Sequence, residues 1–285
     1  VYQTTLGELG NKLPIGLLQD DGSLLKDFDL RPYKGHTDRA ISKWQSQNSD
    51  NGPGHLVVGT TTKLISLCVS HIHGHATPLT TQNDSSPDTL AKIYSWPFMD
   101  VMYLNLYIRR QVLGPDFLVP VGCPQCGFKG NMCFDLDSIP VWVAESGEDL
   151  FQWYDLRDHI KVKETIRSVR VGYSLWSTIA KPGVIEQAAQ GTHGLTALQE
   201  CLTAVNREET QRVILPDEID EFSKYDLVKI EQLTAKTMAG PKMQTVVYCP
   251  GDHKGDTCNF PFVNPMDWTY DHFFGMSFPQ GDMMS

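Results

Sequence analysis

The residues best placed to do chemistry are cysteines. The run Val121-Gly122-Cys123-Pro124-Gln125-Cys126-Gly127 sets two thiols at the spacing of a zinc-ribbon knuckle. Two intervening residues let both thiolates face one tetrahedral ion, and glycine after the second lets the turn close. A closed zinc site takes about four ligands, so one knuckle supplies half of it. The other half is sought around Cys249-Pro250, with Cys258 as the further thiol and His253 or Cys133 as substitutes. The expected ligand set is therefore Cys123, Cys126, Cys249 and Cys258, around one structural zinc. Two other readings stay open. The ribbon has lost its metal and persists as a turn, or Cys249 and Cys258 are joined across a hairpin, which needs an oxidising stage. A thioredoxin-like role fits poorly, because that chemistry wants the cysteine pair to open a helix, and strand-forming residues follow Gly127.

His71-Ile72-His73-Gly74-His75 is the second candidate. On a strand, alternate histidines share a face, and the run partly resembles the His-x-His-x-Asp-His signature of the metallo-β-lactamase fold. It lacks the Asp-His end. The bland reading is a helix C-terminus with histidines favourable to its dipole and Gly74 as the stop. A nucleophile elbow, a phosphate loop, a dinucleotide glycine pattern and His-Glu-x-x-His are all absent from the sequence. The carboxylates Asp20-Asp21, Asp217-Glu218 and Asp220-Glu221 read as turn or helix-start residues. No catalytic residue is expected, and the chain is read as a non-enzyme.

The elements that must position the cysteines come in two similar sets. Shifting the sequence by 126 positions sets Asp29-Leu30-Arg31 on Asp155-Leu156-Arg157, Asp100 on Asp226 and Gly114-Pro115 on Gly240-Pro241. The same shift sets Val121 on Val247, Cys123-Pro124 on Cys249-Pro250, Phe134 on Phe260 and Trp142 on Trp268. Asp252 then stands opposite Cys126, so the second knuckle reads as incomplete. Cys68 fits Cys201 only after a slip, which a Gly-, Pro- and Ser-rich insertion at 74–90 would absorb. A tandem duplication is expected, with a first unit at 1–146 and a second at 147–285.

Each unit reads as α+β. A hairpin opens it, signalled in the first unit by Asp21-Gly22 between apolar runs. A helix is expected over Thr61 to Ile72, with Leu64, Cys68 and Ile72 on one face, and its counterpart over Leu195 to Val205. A second helix runs from Pro97 to Leu113 and stops at Gly114-Pro115; its counterpart runs from Pro216 to Ala239. A strand follows at Phe117 to Val121, or Met243 to Tyr248, then the knuckle, then a return strand carrying Phe134 or Phe260. The segment Ser46 to Gly54 reads as a surface loop. The aromatic stretch Trp268 to Phe278 either caps its own unit or docks on a neighbour.

Composition bounds the function. The 285 residues carry 24 Lys plus Arg against 34 Asp plus Glu, a net charge of −10. An acidic chain without a basic stripe disfavours nucleic acid as a partner. No apolar run approaches the ~20 residues of a membrane span. The chain opens with neither a basic nor an apolar leader segment, so a reducing compartment is expected for its 7 cysteines.

The repeat unit resembles a family of baseplate and baseplate-hub assembly proteins from contractile-tailed bacteriophages. Leu30-Arg31-Pro32, Arg109-Arg110, Gly114-Pro115, Val121, the knuckle Cys123 to Gly127 and Asp135-Leu136 carry the resemblance. It is best over roughly 13–142 and weaker over 153–275. It implies a tail-building role without catalysis, with other tail proteins as partners in a symmetric multi-subunit assembly. It also implies residence in the host cytoplasm during assembly and then in the virion tail, as a permanent part or a departing chaperone. The competing readings are a zinc-dependent hydrolase using His71, His73 and His75, and a zinc-ribbon adaptor of a cellular complex.

Overall fold

The computed structural model describes residues 1–51, 53–72, 92–161, 165–179, 201–207, 214, 216–237, 239–242 and 244–265. The fold is mixed α+β with antiparallel sheets. Strand β1 (Tyr2–Thr5) and the single turn α1 (Leu6–Leu9) lead into a hairpin, β2 (Lys12–Leu18) and β3 (Leu24–Leu30). Helices α2 (Gly35–Gln47) and α3 (Pro53–Cys68) follow, then β4 (Val69–Ile72), which adds to β3. Helix α4 (Phe98–Leu113) is the spine of this half. Ten of its sixteen residues are buried, polar Asp100, Asn105 and Arg109 among them, the pattern of a helix enclosed on all sides. Gly114 ends it at φ 87°, donating its N–H to the Arg110 carbonyl. Strands β5 (Asp116–Gly122) and β6 (Lys129–Asp135) then form a two-stranded ribbon, and β7 (Pro140–Val143) follows.

Among its described residues the second half also runs from a hairpin with a third strand, through a long helix, to a ribbon. Hairpin β8 (Gln152–Lys161) and β9 (Thr165–Val171) takes β10 (Leu202–Val205) as its third strand. Short helices α5 (Trp176–Ile179) and α6 (Pro216–Ile219) precede α7 (Lys224–Thr237). After β11 (Gly240–Pro241) comes a second ribbon, β12 (Gln244–Tyr248) with β15 (Pro261–Pro265). Between them sits a miniature hairpin, β13 (Asp252–His253) and β14 (Asp256–Thr257).

Three features tie the halves together. Strand β7 pairs with β1 on one side and β11 on the other, so one sheet draws on both. Trp176, 2 % exposed, inserts into the first half's core, stacks on Phe98 and donates its indole N–H to Thr62 Oγ1 at 2.8 Å. A smaller apolar cluster of Ile15, Met99, Ala144, Leu150 and Ala239 also joins residues of both halves.

Several expectations need correction. The helix expected over 61–72 spans Pro53–Cys68, and Val69–Ile72 is a strand. Leu64, Cys68 and Ile72 are all buried as expected, but Ile72 reaches the core from β4, opposite Phe28. β-branched residues at both ends of this short run favour the strand. Likewise Leu202–Val205 is a strand rather than the end of a helix; residues 195–200 lie outside the described residues. The long helix expected over 216–239 is broken before Lys224, because Ser223 caps α7. Its hydroxyl accepts from Asp226 N–H at 3.1 Å and donates to the Asp226 carboxylate at 2.6 Å. The stretch 46–54 is largely helical, holding the end of α2, a 3-10 turn at Ser49–Asn51 and the start of α3. Asp29-Leu30-Arg31 and Asp155-Leu156-Arg157 do not occupy equivalent places: the first runs along β3 and just past its end, the second lies in β8. The insertion at 74–90 and the aromatic stretch 268–278 lie outside the described residues.

Candidate metal centre

The two ribbons present their turns to one another. Cys123 and Cys126 come from the β5–β6 turn, Cys249 and Cys258 from the turn between β12 and β15. The four Sγ atoms all lie within 4.8 Å of one another. Cys123 and Cys258 are 3.7 Å apart, Cys126 and Cys249 3.5 Å. A tetrahedral ion with metal–sulfur bonds of about 2.3 Å would set its sulfurs about 3.8 Å apart, so the cluster has the dimensions of a four-thiolate zinc site. All four are free cysteines.

Local backbone geometry explains the convergence. In the first turn, Cys123 donates its N–H to the Phe128 carbonyl, and Gly127, at φ 75°, donates to the Cys123 carbonyl. In the second turn Cys249 donates to the Phe260 carbonyl, and Asn259, at φ 50°, donates to the Cys249 carbonyl. Cys258, Asn259 and Phe260 thus stand where Cys126, Gly127 and Phe128 stand in the first turn. The second knuckle is not missing a cysteine. It is six residues longer, and the extra residues are the β13–β14 hairpin at 252–257. This corrects the expectation that set Asp252 opposite Cys126 and Phe260 opposite Phe134. Lys254 and Gly255, both at positive φ, make the turn that closes the inserted hairpin.

Close packing fixes the thiols. A side chain at Gly251 would meet Cys126 Sγ at 2.7 Å, and the Gly251 N–H donates to Cys249 Sγ at 3.4 Å. Burial pushes the Cys249 thiol up to about 12 and also raises that of Cys258. At Cys123 burial works the same way, but the backbone N–H groups of Cys126 and Gln125 outweigh it and hold the thiol down at about 7. Metal binding requires all four as thiolates; a divalent cation at the centre would supply the compensating charge.

The substitutes stand apart. Cys133 is exposed on β6, with its sulfur 3.6 Å from Asp116 Oδ1, and is not in the cluster. His253 lies on β13, its side chain outside the described residues. His71 sits on β4, exposed and opposite Asp29, rather than at a helix end; His73 and His75 lie outside the described residues. No other group of three metal-ligating side chains occurs among the described residues, and no helix among them is long and apolar enough to cross a membrane. No protein-family model, curated protein or solved structure matches the chain.

Proposed function

We propose that the protein is a non-catalytic structural or assembly component of a contractile phage tail baseplate, built from two tandem α+β units (1–146 and 147–285) whose ribbon turns share one structural zinc. The observation that carries the metal is the cluster itself: four sulfurs within 4.8 Å, two from each half. Four thiolates close the coordination sphere, which suits a structural ion rather than a catalytic one with an open position. The zinc would hold two turns about 126 residues apart in sequence, and so fix the relation of the units. The baseplate role is supported by the resemblance of the Leu30-Arg31-Pro32, Gly114-Pro115 and Cys123 to Gly127 motifs to that family. The partners are then other tail proteins, and the net charge of −10 suits basic patches on them.

Elemental analysis of the full chain purified without chelator tests the metal. About one zinc per chain is expected, lost in Cys123→Ser plus Cys126→Ser and in Cys258→Ser, and kept in Cys133→Ser. Zinc kept in the first two variants would move the site elsewhere. For the assembly role, mass spectrometry of purified tails and of assembly intermediates is expected to find the chain in at least one; absence from both overturns the role and leaves the zinc site standing.

A further inference from the structure

The four thiols of the cluster are not equally reachable, and the inequality follows a pattern. In each ribbon turn the first cysteine is buried, Cys123 at 5 % exposure and Cys249 at 0 %. The second, Cys126 or Cys258, is partly open to solvent. Across the site, each partly open sulfur lies against the buried sulfur of the opposite turn: Cys126 against Cys249 at 3.5 Å, Cys258 against Cys123 at 3.7 Å. Both contacts join the two halves, over 123 and 135 residues of chain. The turns also touch beside the first pair. A side chain at Gly251 would meet Phe128 Cβ at 2.9 Å and Cys249 Sγ at 3.3 Å, so the backbone of the second turn rests on the first.

This arrangement decides which disulfides the cluster can make. Within each turn, backbone hydrogen bonds brace the loop around its own cysteine pair: Cys123 to Phe128 and Gly127 to Cys123 in one, Cys249 to Phe260 and Asn259 to Cys249 in the other. A bond between the two thiols of one turn must form inside that braced loop and distort it. A bond across the site needs only a closer approach of two turns already in contact, by about 1.5 Å, to reach a bonded S–S distance of about 2.05 Å. The sulfurs that an oxidant in solvent reaches are also the ones set against a buried sulfur of the other half.

We propose that the metal centre is a peroxide-sensitive switch, in which oxidation at Cys126 and Cys258 expels the zinc and replaces it with two disulfides between the halves, Cys126–Cys249 and Cys123–Cys258. This rests on the four-thiol zinc site proposed above. The oxidant is hydrogen peroxide. The Cys126 thiolate attacks one peroxide oxygen, an S–O bond forms, the O–O bond breaks, and the departing hydroxide takes a proton to become water. The Cys249 thiolate then attacks the Cys126 sulfur. An S–S bond forms, the S–O bond breaks, and a second hydroxide leaves as water. Two thiolates have lost two electrons and one peroxide has gained them. A second peroxide joins Cys258 to Cys123 in the same way. The zinc, stripped of its thiolates, dissociates. The halves stay joined throughout, by metal in a reducing setting and by covalent bonds in an oxidising one.

The test uses the full-length chain with Cys133→Ser, which removes the exposed thiol outside the cluster. Zinc content is measured first. Hydrogen peroxide is then added stepwise, and released zinc is followed with a colorimetric indicator. Digestion with trypsin in the absence of reductant reads the pairing. Cleavage after Arg110, Lys129, Lys242 and Lys254 leaves Cys123 and Cys126 on peptide 111–129, Cys249 on 243–254 and Cys258 on 255–285. Once zinc is lost, all three peptides are expected in one linked species, with fragment ions placing Cys126 on Cys249 and Cys123 on Cys258. Reductant with added zinc is expected to restore the starting state. An internal disulfide in 111–129, with 243–254 joined to 255–285, overturns the proposal. So does zinc retained with all four thiols intact, or Cys126 carried on to the sulfinic acid without a disulfide. Each of these failures in a chain that held zinc at the outset leaves the metal site standing. A chain that holds no zinc at the outset overturns the site and the switch together.

Discussion

At the residue scale, the two helix-start carboxylates show how one position answers to opposite environments. Asp100 is wholly buried. Burial raises its carboxyl to about 7, against the pull of the Ile15 and Gly16 N–H groups and of Lys26. Burial pushes Asp226 upward too, but the Ser223 hydroxyl, the Arg157 N–H and the Tyr154 hydroxyl together hold it below the usual carboxylate range. The consequences for stability have opposite signs. Between the unfolded value of 3.8 and about 7, native Asp100 keeps a proton that the unfolded chain has released, so its effect is loss of stability as pH rises through that window. The bound on that loss is about 4 kcal/mol, at about 1.4 kcal/mol per pH unit. Asp226 stabilises the fold above the ordinary carboxylate range, and that contribution goes as pH falls through its lowered value. Urea unfolding of wild type and Asp100→Asn across this range is expected to show the variant losing less stability than wild type as pH rises. Parallel pH profiles would show that Asp100 does not carry the dependence.

At the element scale, Trp176 couples the two halves, because it is a second-half residue completing a first-half core. Trp176→Ala leaves a large cavity and takes the donor from Thr62 Oγ1; a loss of about 3–5 kcal/mol is expected for a buried tryptophan, read from the denaturation midpoint. A change under about 1 kcal/mol would mean the core closes around the gap. Its position at the head of the four-residue α5 gave no sequence cue, since nothing local shows that an exposed-looking aromatic inserts into a distant core. Other elements were legible. The α4 boundaries follow from Pro97 and Gly114-Pro115, and the first ribbon from the apolar run Phe117 to Val121 before the knuckle. The strands Val69–Ile72 and Leu202–Val205 were not, because four apolar-spaced residues extend a helix or start a strand equally well. The partners that decide, β3 and β9, lie some 40 and 30 residues upstream. The break before α7 was legible in principle, as Ser223 followed three residues later by Asp226 is a capping pair. At the metal centre, the four cysteines could be read from residue type and spacing. Their alignment could not, because a constant shift of 126 hides the six-residue hairpin inserted inside the second knuckle.

At the scale of the whole molecule, three connections hold the halves in one arrangement: the β1–β7–β11 sheet, the Trp176 insertion and the cysteine cluster. The first two bury surface that neither half covers alone. Strand β7 belongs to the first unit yet needs β11 of the second to pair its other edge, and the core around Phe98 is incomplete without Trp176. The cluster acts differently, because its four thiols converge only when both ribbons are in place, and the zinc would bind the assembled pair of units but neither unit fully. Binding to the native arrangement and not to separated parts stabilises it by mass action. The chain cut between residues 146 and 147 is therefore expected to behave as one folding unit in two pieces. Residues 1–146 produced alone should aggregate or remain partly unfolded, with fewer than one zinc bound. Produced together, the fragments should co-purify as a one-to-one complex carrying about one zinc. Removing the metal with chelator should then weaken the complex, measured by isothermal titration of one fragment into the other with and without zinc. Equal affinity in the two conditions would mean that the sheet and Trp176 alone hold the units, and that the metal orders the ribbon turns without joining the halves.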